Sequence, residues 1–179
     1  LQTMPVIIRN LDDDAAVLVM VDSNIQREEL LPSERAFAYK MKLEALKHQG
    51  ARSDLTSMQV AQKLSVEIVG EAAGESKDQV RRYIRLTNLI PEILQMVDDG
   101  KIALTPAVEL SYLQPPEQET LFSIMDCDEV TPSLSQAQRL RRMSEEQRFT
   151  DSAVMQLMSE VKGNQVEYVK VPVDKLRSF

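Results

Sequence analysis

The sequence predicts a mainly α-helical chain centred on a helix-turn-helix, with one short strand and further helices ahead of it. Three observations carry this. Hydrophobic residues fill 43% of the 179 positions, yet aromatics fill only 4%, with no Trp and 5 Gly. That composition suits helices packed through Leu, Ile, Val, Met and Ala better than a β-sandwich. Pro32, Pro91, Thr105-Pro106 and Pro115 each open an apolar run at helical spacing. Between residues 56 and 88, Val69, Gly70, Ala73, Gly74, Val80 and Tyr83 fall at the spacing of two helices crossing steeply. Gly70 is the small residue such a crossing needs, and Gly74 tolerates the positive φ of the turn.

Taken in order, Pro5-Val6-Ile7-Ile8-Arg9 reads as a strand covered on both sides. A strand cannot stand alone, so the expectation is a chain that begins inside a domain. Asp12, Asp13 and Asp14 open a helix through Val19. Consecutive helical residues diverge by about 100°, which favours capping over metal binding for these carboxylates. Asp22 to Leu30 reads as a polar link. The next helix starts at Pro32 and Ser33, carries Phe37, Met41 and Ala45/Leu46, and ends at Gly50 after His48. Residues 50–55 form the clearest internal boundary.

Thr56 begins a helix with Val60, Ala61 and Leu64 on one face. The helix directly before the turn is therefore either Thr56–Leu64 or Val66–Ala73. The second helix of the motif runs from Lys77 to about Asn88 and is capped by Ser76. Helices then follow from Pro91 to Gly100, from Thr105 through Leu113, from Pro115 to about Met125, from Ser135 to about Gln147, and from Asp151 to Lys162. Residues 126–132 read as a turn. Residues 166–173 alternate as a strand or extended tail. This gives three portions: 1–49, 50–148 and 149–179.

On the second helix of the motif, Lys77, Arg81, Arg85 and Asn88 form one stripe, with Arg82 beside it and Ser76 and Gln79 at its start. A basic stripe there suits entry into the major groove of double-stranded DNA. The plainer reading is a helical hairpin with a solvated face. Arg139, Arg141 and Arg142 on a later helix are candidates for phosphate contact, or again a solvated face. A net charge of −7 argues against indiscriminate nucleic-acid binding and fits recognition of a defined site. Cys127 is the only Cys and His48 the only His, and they lie in distant segments, so nucleophilic and metal chemistry are not expected. A lone thiol fits a reducing cytoplasm. No apolar run reaches the roughly 18–20 residues of a membrane span.

Pro5-Val6-Ile7-Ile8-Arg9, Ser23-Asn24-Ile25-Gln26-Arg27-Glu28-x-Leu30, Pro32-x-Glu34-x-Ala36-x-x-Tyr39 and Gly100-Lys101-Ile102-Ala103-Leu104-Thr105-Pro106-Ala107-Val108 stand in the order found in the ParB family of DNA-partition proteins. The chain resembles that family from residue 3 to about residue 145, with a closer likeness to partition-like proteins of Gram-positive mobile elements. The resemblance implies that residues 1–49 are the end of an α/β nucleotide-clamp domain. It also implies dimeric binding to a palindromic, centromere-like site, nucleoid association and a ParA-like ATPase as partner. Asn24 and Arg27 match family positions that hold CTP and magnesium. The family Glu before Asn24 is Ser23 here, and its G-E-R-R phosphate segment belongs upstream of the strand. The expectation is that no cofactor binds this chain and that it is not an enzyme. CTP, magnesium and homodimerisation are then properties of a longer protein.

Overall fold

The computed structural model describes residues 8, 10–25, 30–52, 66–71 and 73–160. Among them are nine helices and no strand. The strand expected at 5–9 (Ile8 apart), the helix expected at Thr56–Leu64, Arg27 and the extended tail at 166–173 lie outside the described residues.

Helix α1 (Asp13–Ile25) starts where Asp12 accepts the Ala15 amide N–H at 2.8 Å, so the acidic run does cap it. It continues through Asp22–Ile25, which the sequence had marked as a link. Val21 is 2% exposed, and Asp22 pairs with the buried Lys42 at 2.5 Å, so contacts with the next helix hold this last turn. That helix, α2 (Pro32–Arg52), begins with the Glu34 carboxylate accepting the Leu31 amide at 3.0 Å. It runs two residues past Gly50. A glycine costs a helix about 1 kcal/mol relative to Ala, which is too little to end one supported elsewhere.

Next in the described chain, α3 (66–71) leads through the turn into α4 (Lys77–Leu86). The helix directly before the turn is thus the second of the two alternatives. Then come α5 (Pro91–Asp98), α6 (Leu104–Leu110), α7 (Pro115–Asp128), α8 (Leu134–Glu145) and α9 (Asp151–Met158). Helix α7 extends three residues beyond the expected Met125, and the expected turn begins only at Glu129.

Two apolar clusters organise these helices. Tyr39 and Leu43 of α2 meet Val66 and Val69 of α3 and Val80 of α4. The larger cluster joins Ala36, Leu86, Ile93, Leu110, Leu121, Leu140 and Val154, drawn from α2 and from α4 through α9. Each large side chain buried there stabilises the fold by roughly 1.5–3 kcal/mol. Helix α2 takes part in both clusters and also packs against α1, so it is the element that fixes the helix-turn-helix to the rest.

Two buried glutamines tie the layers through backbone. The Gln118 amide donates to the carbonyls of Asn88 and Leu113, and its oxygen accepts the Ile90 N–H at 2.9 Å. That fixes the chain leaving α4 against α7. Gln136 donates to the Leu157 carbonyl at 2.9 Å, fixing α8 to the end of α9. Buried amides hold position this way because leaving either group unpaired would cost about 1–3 kcal/mol.

Candidate nucleic-acid interface

The turn between α3 and α4 is built on its two glycines. A Cβ on Gly70 would stand 2.6 Å from the Glu75 carbonyl oxygen, so only glycine lets the turn backbone approach this closely. The Glu75 N–H donates to the Gly70 carbonyl at 2.9 Å, and Gly74 sits at φ 67°. Ser76 then accepts the Gln79 N–H at 3.2 Å and starts α4.

Helix α2 grips this turn. Arg35 pairs with Glu75 at 2.8 Å and lies 5.2 Å from the centre of the Tyr83 ring. Tyr83 meets Tyr39 edge-on, with ring centres 5.9 Å apart. Burial, and next the charge of Glu75, push the Tyr39 phenol up to about 12. Helix α4 is therefore held at its base by an ion pair, two tyrosines packed edge-to-face and Val80, which has no exposed surface. Its outer face is fixed in direction before any partner arrives.

The expected stripe on α4 divides in two. Lys77, Arg81 and Asn88 are exposed. Lys77 stands 3.5 Å from Glu67, and Arg81 makes a local pair with Asp78 at 3.1 Å. Such exposed pairs are worth about 0–1 kcal/mol and yield readily to a phosphate or a base edge. Gln79 and Arg82 are half-buried, and Arg82 donates to the Thr105 hydroxyl at the start of α6. Arg85 departs from the exposed stripe expected of it. It donates to the hydroxyl and carbonyl of Ser111, each at 3.2 Å, and lies over the Tyr112 ring. The end of α6 projects far enough to meet it, a contact that helical spacing alone does not reveal.

The arginines of α8 also separate. Arg141 faces α6, lies 3.7 Å from the centre of Tyr112, and pairs with Glu145 at 2.8 Å and Glu109 at 3.1 Å. Those two carboxylates, Glu145 first, raise its pKa above the ordinary guanidinium value. Arg139 turns instead towards α9 and forms a forked pair with Glu160, while Arg142 is exposed. Tyr112 thus joins Arg85 of α4 to Arg141 of α8. In a chain with few aromatics, a tyrosine directly after an apolar helical run was the one sequence signal that could have pointed to it.

Asn24 lies half-buried in the last turn of α1. Beside it, Ser23 donates its hydroxyl to the Val19 carbonyl at 2.8 Å, and Asp22 is held by Lys42. Of the two neighbours, Asp22 is the carboxylate, and one of its oxygens is already engaged by Lys42. No group of three or more His, Cys, Asp or Glu among the described residues could hold a metal. His48 faces Asp14 at 3.5 Å, and Cys127 is a free, exposed thiol. Among the described residues no helix is long and apolar enough to cross a membrane.

Residues 28–131 match the family model described as the ParB HTH domain. The chain is 30% identical over 141 residues to the chromosome-partitioning protein Spo0J of Thermus thermophilus, covering 79% of this chain and 45% of that protein. It is 30% identical over 142 residues to the probable chromosome 1-partitioning protein ParB of Deinococcus radiodurans, covering 79% and 43%. It is also 30% identical over 119 residues to the nucleoid occlusion protein of Listeria innocua, covering 66% and 36%. The chain spans less than half the length of these relatives.

Proposed function

The chain belongs to the ParB family, and we propose on that premise that it is a sequence-specific DNA-binding protein acting in partition. One observation carries the reading: α4 is fixed at its base by the Gly70–Glu75 turn and Arg35, and presents Lys77 and Arg81 outward. A rigid helix with exposed cations at its N-terminal end is what major-groove reading asks for. Ser76, Gln79 and Asn88 add uncharged donors and acceptors along the same helix. Arg82 and Arg85 of α4 brace the reader against Thr105 and Ser111, and Arg139, Arg141 and Arg142 are assigned to phosphate contact. The target is a palindromic, centromere-like site bound by a dimer of the longer protein, in the cytoplasm and on the nucleoid. A ParA-like ATPase is the expected partner, and a plasmid or mobile element is the expected setting. The chain itself performs no chemistry in this reading.

Selection of bound duplexes from a random pool tests it. The expected outcome is an enriched palindrome, with affinity falling steeply as salt rises because several phosphates are contacted. A pool with no enriched sequence would overturn the reading. Arg81→Ala should weaken the selected site far more than random duplex, since an Arg reading a base is worth roughly 1–3 kcal/mol of discrimination. Adding CTP with magnesium should leave the melting temperature unchanged; a rise would instead support a CTP-dependent clamp working through Asn24 and Arg27.

A further inference from the structure

Arg139 and Arg142 lie three residues apart and share one face of α8. The chain then reverses at Gln147, which adopts φ 55° although it is not a glycine. The Arg148 N–H donates to the Met143 carbonyl at 2.8 Å, closing the helix end and returning the Arg148 side chain to the face of Arg139 and Arg142. The three guanidiniums line a cleft of about 530 Å3 between α8 and α9, floored by Met143 and Leu157. One carboxylate, Glu160, enters this cleft and forks onto Arg139. Arg148 pairs with Glu146 on the rim, and Arg142 has no ion-pair partner among the described residues. The cleft lies beyond residue 131, outside the part that matches the ParB HTH domain.

We infer that the α8–α9 cleft is an anion site for a phosphate group, closed in the free protein by Glu160, which occupies the Arg139 fork that the phosphate would take. Guanidinium forks match phosphate and carboxylate geometry equally, so one can replace the other on Arg139. Glu160 follows the end of α9, where the helix dipole disfavours a negative charge. Its hold on the cleft therefore depends on Arg139 and is open to competition. The volume lies in the range of small-ligand pockets, so the phosphate can carry a sugar and base with it. It can come from a DNA backbone or from a free nucleotide. The inference deepens the phosphate contact assigned above to Arg139 and Arg142, and does not depend on α4 as reader.

The test uses inorganic pyrophosphate at constant ionic strength, with melting temperature as the readout, on the wild-type chain, Glu160→Gln, and the double variant Arg142→Gln/Arg148→Gln. Arg142 and Arg148 are exposed, so the double variant should fold. Pyrophosphate should raise the melting temperature of the wild type. Glu160→Gln should bind it about tenfold more tightly, because a like charge has been removed. The double variant should lose the response. If its affinity for random duplex also falls and the salt slope drops by roughly two, the phosphate belongs to DNA. If duplex binding is unchanged, the phosphate belongs to a free ligand. No response in either the wild type or Glu160→Gln, or a response that survives in the double variant, overturns the inference. Arg81→Ala should leave the pyrophosphate response intact, which separates failure of this site from failure of the α4 reader.

Discussion

The guanidinium carbon of Arg85 lies 3.8 Å from the centre of the Tyr112 ring, and Arg141 lies 3.7 Å from the same ring. A ring between two cations is an attractive arrangement because each guanidinium meets the negative ring face, while the two charges stay apart. Glu109 and Glu145 on Arg141 reduce what repulsion remains. This stack joins the proposed reading helix to α8 at the surface, beside the apolar cluster to which both helices contribute. Tyr112→Ala should destabilise the chain by about 1–2 kcal/mol, measured by urea unfolding. Arg81→Ala has only an exposed local pair to lose and should change stability by less than about 0.5 kcal/mol. Equal losses in the two variants would mean that the stack contributes nothing of its own.

Arg35 and Glu75 are the second point of attachment. Glu75 is half-buried, and its Oε2 is without a hydrogen-bond partner among the described residues. Removing Arg35 would leave that carboxylate desolvated and unpaired. Arg35→Ala should therefore cost about 2 kcal/mol, below the 3–5 kcal/mol of a fully buried pair because water still reaches both groups. Adding Glu75→Gln should recover much of the loss, since a neutral amide needs no counter-charge. Additive losses in a double-mutant cycle would show that the two residues act independently.

Gly70 and Gly74 make different demands. At Gly70 the obstacle to a side chain is the Glu75 carbonyl, which is backbone and cannot rotate aside. At Gly74 there is open space, and only the positive φ resists substitution. Gly70→Ala should cost about 1–3 kcal/mol by forcing α3 and α4 apart, and should weaken DNA binding with it. Gly74→Ala should cost roughly 1 kcal/mol and leave the helix crossing intact. A smaller loss of binding in Gly70→Ala than in Gly74→Ala would count against the crossing as the element that aims α4.

Four helix ends show how far the fold could be read in advance. Helices α3, α5, α7 and α8 all close with an amide N–H reaching back five residues, beside a residue at positive φ. Gly74 and Gly100 fill that position in α3 and α5, and both ends were legible. Glu129 and Gln147 fill it in α7 and α8, so nothing in the sequence marked where α7 stopped. The proposed site divides in the same way. The cations of α4 follow from helical spacing, but Arg85 is positioned by Ser111 and Tyr112, 26 and 27 residues further on. Periodicity reports which face a residue leaves from, not what it meets. Gln147→Gly should accordingly stabilise the chain by about 0.5–1 kcal/mol, a rise in urea midpoint being the check.

Tyr39 supplies a pH dependence whose sign is fixed. Its phenol is raised from 10.0 to about 12, chiefly by burial and next by the charge of Glu75. The neutral phenol is thus favoured in the folded state relative to the unfolded one. The stabilisation is fully present below pH 10 and is lost as pH rises through about 12. Two pKa units correspond to at most about 2–3 kcal/mol across that window. Tyr39→Phe keeps the ring against Tyr83 but has nothing to ionise. Its unfolding free energy should fall less steeply than that of the wild type between pH 10 and 12, whatever the lysines contribute to both. Parallel pH profiles for the two proteins would show that the Tyr39 phenol titrates alike in the folded and unfolded states, and that the packing of α2 on the turn does not depend on its protonation.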